Sequence, residues 1–305
     1  MGTTLEPPLS EPIGLIAGWG RFPVIIAEKA KARGIPIVCV GIRGMADDKA
    51  LRPLVTHFAW MRAAALNRPV KIFRKYGVRR WTMAGKFYKH RLLSPFRWIT
   101  LLPDWRTVRF WYRRVRANNS DDSLLLAVIA ESESVGLECI SALDITPELL
   151  VREGLLTKLA PTPAQEADIA YGWFLAKEMG RLDVGQSVTV KDRAVLAVEA
   201  IEGTDRAIRR TAEYCKGGGF TVVKLAKPQQ DRRFDVPTIG PQTIQTMKEV
   251  GAKVLAIEAG QTIIIDEQAT IDLANRYGIV IVSRTDAQMK QAIAQHARLV
   301  SDQQS

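Results

Sequence analysis

The chain is poor in the residues that most often announce a site. Its 305 residues include three histidines and three cysteines. His57, His90 and His296 stand in no metal-ligand spacing and beside no nucleophile motif, which removes histidine catalysis from consideration. Cys39, Cys139 and Cys215 are odd in number and scattered, so neither a disulfide framework nor a clustered metal site is encoded, and buried free thiols are expected. No apolar run approaches the roughly 20 residues needed to span a bilayer. The opening residues, Met1 to Pro12, have neither the basic stretch nor the apolar core of a secretory signal, and a cytoplasmic location is expected. Internal repeats and low-complexity tracts are also missing. At this length and composition the chain is expected to form two globular domains.

The N-terminal half alternates strands and helices. Ile13 to Ala17 reads as a strand, Pro23 to Arg33 as a helix closed by Gly34, and Pro36 to Val40 as a second strand, which is a Rossmann-like opening. Gly18-Trp-Gly20-Arg-Phe-Pro23 supplies two glycines of the dinucleotide fingerprint. Pro23 takes the place of the third, and no acid closely follows the second strand, so a nicotinamide oxidoreductase is disfavoured. Glycines here let backbone N–H groups approach a phosphate or sugar, and they serve a tight strand-to-helix turn equally well. Thr56 to Trp60, Trp81 to Ala84 and Glu138 to Leu143 read as further strands, and Lys71 to Tyr76 and Asp121 to Gly136 as helices. Lys86, after Gly85, falls at a strand end.

The join lies around Asp144 to Pro161. It separates a Rossmann-like domain over 10–158 from a second α/β domain over 159–305, with a ligand cleft expected between them. Thr162-Pro163-Ala-Gln165 is a capping-box pattern that opens a helix ending near Gly180. Gln186 to Val190 and Ala194 to Val198 read as a hairpin, with later strands at Val254 to Ile257, Ile263 to Ile265 and Ile279 to Val282. From Asp286, Met289, Ile293 and Ala297 recur at helical intervals.

Chemistry concentrates in this second half. The segment from Lys224 through Lys227, Asp231, Arg232, Arg233 and Asp235 to Pro237, Gly240 and Thr243 crowds cations and carboxylates into a stretch too rich in proline and glycine for regular structure. It follows a strand, Thr221 to Leu225, and precedes a helical run from Thr243. Cations neutralise phosphate oxygens, while Asp231 and Asp235 supply hard oxygen ligands of the kind that hold magnesium or manganese together with substrate phosphates. Two more strand ends carry acids beside glycine: Glu199-Ala-Ile-Glu202-Gly203-Thr204-Asp205, where Thr204 or Asp205 suits a helix cap, and Glu258-Ala-Gly260. Three strand ends of similar chemistry point to one shared cleft, because α/β sheets bind ligands beyond the carboxyl ends of their strands.

Taken in order, Ile16-Ala-Gly18-Trp-Gly20-Arg-Phe-Pro23, Ala84-Gly85-Lys86, Thr162-Pro-x-Gln-x-x-Asp168, Glu199 to Asp205, Lys224-x-x-Lys-Pro-x-Gln-Asp-x-Arg-x-Asp-x-Pro237, Ile239-Gly-Pro-x-Thr243 and Glu258-Ala-Gly260 resemble the LpxI-type UDP-2,3-diacylglucosamine pyrophosphatases of lipid A biosynthesis. The resemblance covers nearly the whole chain. It implies magnesium-dependent hydrolysis of UDP-2,3-diacylglucosamine to UMP and 2,3-diacylglucosamine 1-phosphate, with the lipid sugar held between two domains. The expected site then has Asp231, Asp235, Glu199, Glu202 and Asp205 as its acidic, metal-binding groups. Either Asp231 or Asp235 is ligand or base. Lys224, Lys227, Arg232 and Arg233 are expected to face phosphate. Gly18, Gly20, Gly85 and Lys86 in the first half, and Gly203, Thr204, Gly240, Thr243 and Glu258 in the second, are expected to meet substrate.

Residues 71–116 hold fourteen lysines and arginines against the single acid Asp104, and they account for the net charge of +11. Phe87, Tyr88, Phe96, Trp98, Trp105, Phe110, Trp111 and Tyr112 are interleaved with them. Such a mixture suits lipid headgroups, and a reversible contact with the inner membrane is expected. It is also what a single-stranded nucleic-acid platform needs, so binding without catalysis is the rival reading. The carboxylates of the second half disfavour a nucleic-acid partner, and a homodimer is left open.

Overall fold

A computed structural model describes residues 11–62, 65, 67–86 and 121–302. The chain forms two compact units, Met1–Pro147 with Arg232–Phe234, and Glu148–Asp231 with Asp235–Ser305. The aromatics Phe87, Tyr88, Phe96, Trp98, Trp105, Phe110, Trp111 and Tyr112 of the basic stretch lie outside the described residues.

In the first unit the order is β1 (Ile13–Ala17), α1 (Phe22–Ala32), β2 (Ile37–Ile42), α2 (Asp48–Leu51), β3 (His57–Met61), α3 (Asn67–Lys75), β4 (Arg80–Ala84), α4 (Asp121–Glu133), β5 (Glu138–Cys139) and α5 (Ala142–Ile145). The strands form one sheet in the order β3-β2-β1-β4-β5, all parallel, which is the expected Rossmann-like arrangement. A parallel sheet is covered on both faces, and β2 is accordingly buried along its whole length. Phe73 and Trp81, with ring centroids 6.5 Å apart, pack with Val38, Val40 and Ile129. Phe234 joins this cluster, Ser141 Oγ donates to the Arg232 carbonyl at 2.8 Å, and Arg233 pairs with Glu133 at 3.3 Å.

The cysteines are free and buried, and burial pushes the Cys39 thiol up to about 12. One expected strand is shorter than its apolar residues suggest. β5 stops at Cys139, because Ser141 accepts the Leu143 N–H at 3.2 Å while the Asp144 carboxylate accepts the Ser141 N–H at 3.0 Å. That reciprocal cap starts α5 where a continued strand was expected.

The second unit runs β6 (Gly154–Leu155), α6 (Pro163–Arg181), β7 (Ser187–Lys191), β8 (Ala194–Val198), α7 (Thr204–Tyr214), β9 (Thr221–Lys224), β10 (Thr238–Ile239), α8 (Pro241–Val250), β11 (Val254–Glu258), β12 (Ile263–Ile264), α9 (Glu267–Tyr277), β13 (Val280–Arg284) and α10 (Asp286–Asp302). Its main sheet has the order β6-β13-β11-β9-β7-β8, with a parallel centre of β13, β11 and β9 and antiparallel pairs outside. β10 and β12 form a small parallel pair of their own. One face of the main sheet is covered by a cluster that includes Ile208, Phe220, Ile244, Met247 and Ile281.

The other face is covered by α6. Its start is the predicted capping box, in which Thr162 Oγ1 accepts the Gln165 N–H at 3.3 Å and Gln165 Oε1 accepts the Thr162 N–H at 2.9 Å. Ile169, Trp173 and Ala176 face Val188, Val190 and Val223. Near the start of the helix, the Asp168 carboxylate accepts the Asp192 and Arg193 N–H groups at 3.2 and 2.7 Å. Both residues have positive φ in the β7–β8 hairpin turn, so Asp168 holds a turn that the backbone alone disfavours.

Gly172 lets α6 lie close on the sheet, since a Cβ there would sit 2.7 Å from Val223 Cγ2 and 3.1 Å from Val190 Cγ2. Replacing glycine by alanine inside a helix ordinarily gains about 1 kcal/mol. Here the overpacking cost of about 1–3 kcal/mol against two stiff valines outweighs that gain. Gly172→Ala is therefore expected to lower stability by about 1 kcal/mol, read as a reduced denaturation midpoint at unchanged m-value.

Candidate functional site

β9, β11 and β13 run in the same direction, and β8 shares it because β7 is antiparallel to both β8 and β9. Their last residues therefore lie along one edge of the sheet. Lys224 pairs with Ser187 on one side and Ile257 on the other, and Glu258 pairs with Arg284. The Glu199 N–H donates to the Ser187 carbonyl at 2.9 Å, which adds Glu199 to the same row. The expected meeting of the Glu199, Lys224 and Glu258 strand ends is realised within this unit, and all three side chains are buried, at 6%, 5% and 5% exposure.

What each side chain does there is more specific than its residue type suggested. Thr204 Oγ1 donates to Glu199 Oε2 at 3.1 Å and lies 3.3 Å from Ser187 Oγ. The expected side-chain cap by Thr204 or Asp205 is not formed. Gly203, at φ +84, is the N-cap of α7, and Thr204 is already helical with its hydroxyl turned to Glu199. Glu202 accepts the Ala200 N–H at 3.1 Å and pairs with Arg210 at 2.5 Å, so its charge is spent on a guanidinium. Glu258 accepts Lys177 Nζ at 2.6 Å and the Ala226 N–H at 3.1 Å. Gly240 is the N-cap of α8 and Thr243 is buried in its first turn, so that helix begins two residues before the expected Thr243.

The loop from Leu225 to Pro237 leaves this edge. Lys224 Nζ donates to the Thr238 carbonyl at 2.8 Å, tying the start of the loop to its end. Lys227 Nζ pairs with Asp183 at 2.8 Å, and the Lys227 N–H donates to Gln230 Oε1 at 3.0 Å. The Asp235 N–H donates to the Asp231 carbonyl at 3.0 Å, so the two aspartates close one turn around Arg232–Phe234. Both are half-buried.

The five expected acidic ligands do not gather into a cage. Among the described residues, no group of three or more histidine, cysteine, aspartate or glutamate side chains is placed to hold a metal ion. Asp231 and Asp235 stand at the two ends of one turn and carry hard oxygen donors, the residue type that holds magnesium as one or two carboxylates completed by substrate phosphates.

In the first unit the strand order reverses between β1 and β4, the place where open α/β sheets bind ligands. There the Gly18 N–H donates to the Ala84 carbonyl at 2.9 Å, and Trp19 and Lys86 exchange backbone hydrogen bonds of 3.0 and 2.8 Å. Gly85, at φ +97, is required by this bridge, because a Cβ would lie 2.8 Å from the Trp19 carbonyl oxygen. The expected approach of phosphate to backbone N–H groups is closed at Gly18 and Trp19, whose amides are already bonded. The Trp19 side chain is 48% exposed, with Lys86 Nζ 5.9 Å from its ring centroid.

Two family models match the chain, the LpxI N-terminal domain over residues 12–149 and the LpxI C-terminal domain over residues 152–282. The chain belongs to the LpxI family. A relative in that family, the UDP-2,3-diacylglucosamine pyrophosphatase LpxI of Caulobacter vibrioides, is 33% identical over 280 residues, which cover 88% of this chain and 96% of that protein. Three residues that bond to the expected site residues, Lys177, Asp183 and Ser187, have no sequence signal that marks them. Each acts through a partner distant in the chain, with no local motif to mark it.

Glu202 titrates below the ordinary glutamate range. A hydrogen bond from its own backbone N–H contributes most, and the Arg210 hydrogen bond, the Ala200 N–H and the Arg210 charge add to it against the effect of burial. A lowered folded-state value means that the stabilisation is fully present above the ordinary glutamate range and is lost as pH falls through the lowered value. Glu202→Gln should cost about 0.5–1 kcal/mol at neutral pH. In urea melts, the difference from the unaltered chain should vanish as the pH is taken well below 4.

Proposed function

We propose that this chain hydrolyses the pyrophosphate of UDP-2,3-diacylglucosamine, releasing UMP and 2,3-diacylglucosamine 1-phosphate. The observation that carries the reading is the turn closed by Asp231 and Asp235, set in a loop that leaves the Glu199, Lys224 and Glu258 edge of an LpxI-family chain. Water is a poor nucleophile, and a pyrophosphate concentrates negative charge, so the site needs positioning, a proton acceptor and charge stabilisation.

Asp235 is proposed as the group that orients the attacking water and takes its proton, with Asp231 beside it. A magnesium ion, or manganese in its place, is part of the proposal: Asp231, Asp235 and substrate phosphate oxygens would hold it, and it would offset charge on those oxygens. Lys224 and Lys227 supply positive potential at the start of the loop, each oriented by its own acceptor, Thr238 and Asp183.

The basic and aromatic residues between Lys71 and Arg116 support a second element of the proposal, reversible attachment to the anionic inner-membrane surface. Among the described residues no helix is long and apolar enough to cross a membrane. A peripheral contact through that stretch would bring the chain to a diacylated substrate.

Hydrolysis in water enriched in heavy oxygen, with and without magnesium, tests the chemistry. Cleavage should require the metal and place the label in one product. Asp235→Asn should lower kcat by about 10²–10⁴-fold. Full activity of that variant with magnesium would remove Asp235 from the mechanism. Attachment is tested by co-sedimentation with anionic liposomes, which should occur at low salt and fail at high salt. Absence of binding at low salt would remove the membrane element alone.

A further inference from the structure

The loop after β9 is held at its root by a carboxylate that none of the proposed chemistry uses. Glu258 stands at the end of β11, and its two oxygens face two different donors, Lys177 Nζ at 2.6 Å and the Ala226 N–H at 3.1 Å. The adjacent Leu225 N–H donates to the Gln186 carbonyl, just before β7, at 2.9 Å, so the first two loop amides are both held. Five residues beyond Ala226 comes Asp231.

Lys177 is itself held in place. Its ammonium lies 3.8 Å from Asp286, which also accepts Trp173 Nε1 at 3.2 Å and Lys290 at 2.8 Å. Burial pushes the Asp286 carboxyl up, but the hydrogen bonds from Lys290 and Trp173 and the charges of Lys177 and Lys290 outweigh it and keep the group below the usual carboxylate range. Asp286 and Glu258 thus fix one ammonium between α6, β11 and α10. Without that ammonium, Glu258 would be a buried carboxylate left with the Ala226 amide and the more distant charge of Lys290, and a buried charge that loses its close partner is driven to neutralise or to reach water. Neutralising would weaken the acceptor that the Ala226 N–H meets, and turning to water would remove it.

We propose that Lys177 is a positioning residue: through Glu258 it fixes the Ala226 amide, and with it the register of the loop that carries Asp231 and Asp235. The loop must be held in place because a displacement of about 1 Å at a reacting group can cost on the order of 10²-fold in rate. The role ascribed to the aspartates rests on the proposed function above, whereas the anchoring of Ala226 does not.

The test uses Lys177→Met, Lys177→Arg and Glu258→Gln in the full chain. Hydrogen exchange of peptides covering 225–235 is followed without substrate, and kcat and KM for UDP-2,3-diacylglucosamine are measured with magnesium. Lys177→Met should speed exchange in that segment at least tenfold, leave the β2 and β13 strands unchanged, and lower kcat at least tenfold with KM altered less than threefold. Lys177→Arg, which keeps charge and donors, should restore kcat to within about threefold. A merely structural lysine would instead loosen the whole second unit or change KM and kcat together.

Unchanged exchange over 225–235 overturns the inference whatever happens to turnover. Faster exchange with undiminished kcat overturns its catalytic part. Should Lys177→Met fail to fold, the near-isosteric Glu258→Gln is read by the same criteria. Should the unaltered chain show no hydrolysis, the proposed function fails while the exchange data still decide whether Lys177 anchors the loop.

Discussion

The second unit depends on how one helix lies across one sheet. Gly172 brings α6 into contact with Val223 of β9, and the rest of the helix follows from that crossing. Asp168 meets the hairpin turn, Trp173 reaches Asp286, Lys177 reaches Glu258, and Asp183, just past the last turn, meets Lys227. Apolar burial supplies the attraction, and the polar groups convert it into a defined placement. A buried ion pair adds little net stability, because desolvation offsets the Coulomb gain, yet breaking it costs about 3–5 kcal/mol. Such a pair contributes little to whether the chain folds and a great deal to where its atoms sit.

That distinction matters for a pyrophosphatase-like site. Charge stabilisation works when donors and anions are fixed before substrate arrives, so that no reorganisation is charged against the reaction. Here the loop that departs from β9 begins at amides already committed to Gln186 and Glu258, and Lys224 ties it to Thr238. Only after these restraints does the chain turn through Asp231 and Asp235. The irregular backbone that sequence composition marked as a loop is restrained at both ends, which is how a proline- and glycine-rich segment can hold groups for chemistry.

Much of this was legible in the order of residues. The parallel strands of the first unit read as apolar runs, Thr162 and Gln165 announced the start of α6, and the acids and cations after β8, β9 and β11 marked the edge of the sheet where they meet. What stayed hidden was pairing across the sheet. Glu202 looked like a metal ligand because nothing nearby in sequence explained it, and Arg210 explains it only once α7 folds back. Thr204 looked like a cap because it precedes a helix, but Gly203 takes that position and the hydroxyl serves Glu199. Lys177 carried no signal at all, since a lysine late in an amphipathic helix is normally solvated. Periodicity identifies faces, whereas partners come from register.

The bridge between Trp19 and Lys86 has a further consequence. In dinucleotide folds the turn after the first strand presents bare amides to a pyrophosphate. Here the Gly18 and Trp19 amides are sealed by Ala84 and Lys86, and Gly85 is the residue that permits the seal. The first unit keeps the outline of a coenzyme-binding domain with this part of its phosphate cradle shut. At that crevice an indole stands 48% exposed with the Lys86 ammonium 5.9 Å from its ring, where a coenzyme-binding domain has open amides.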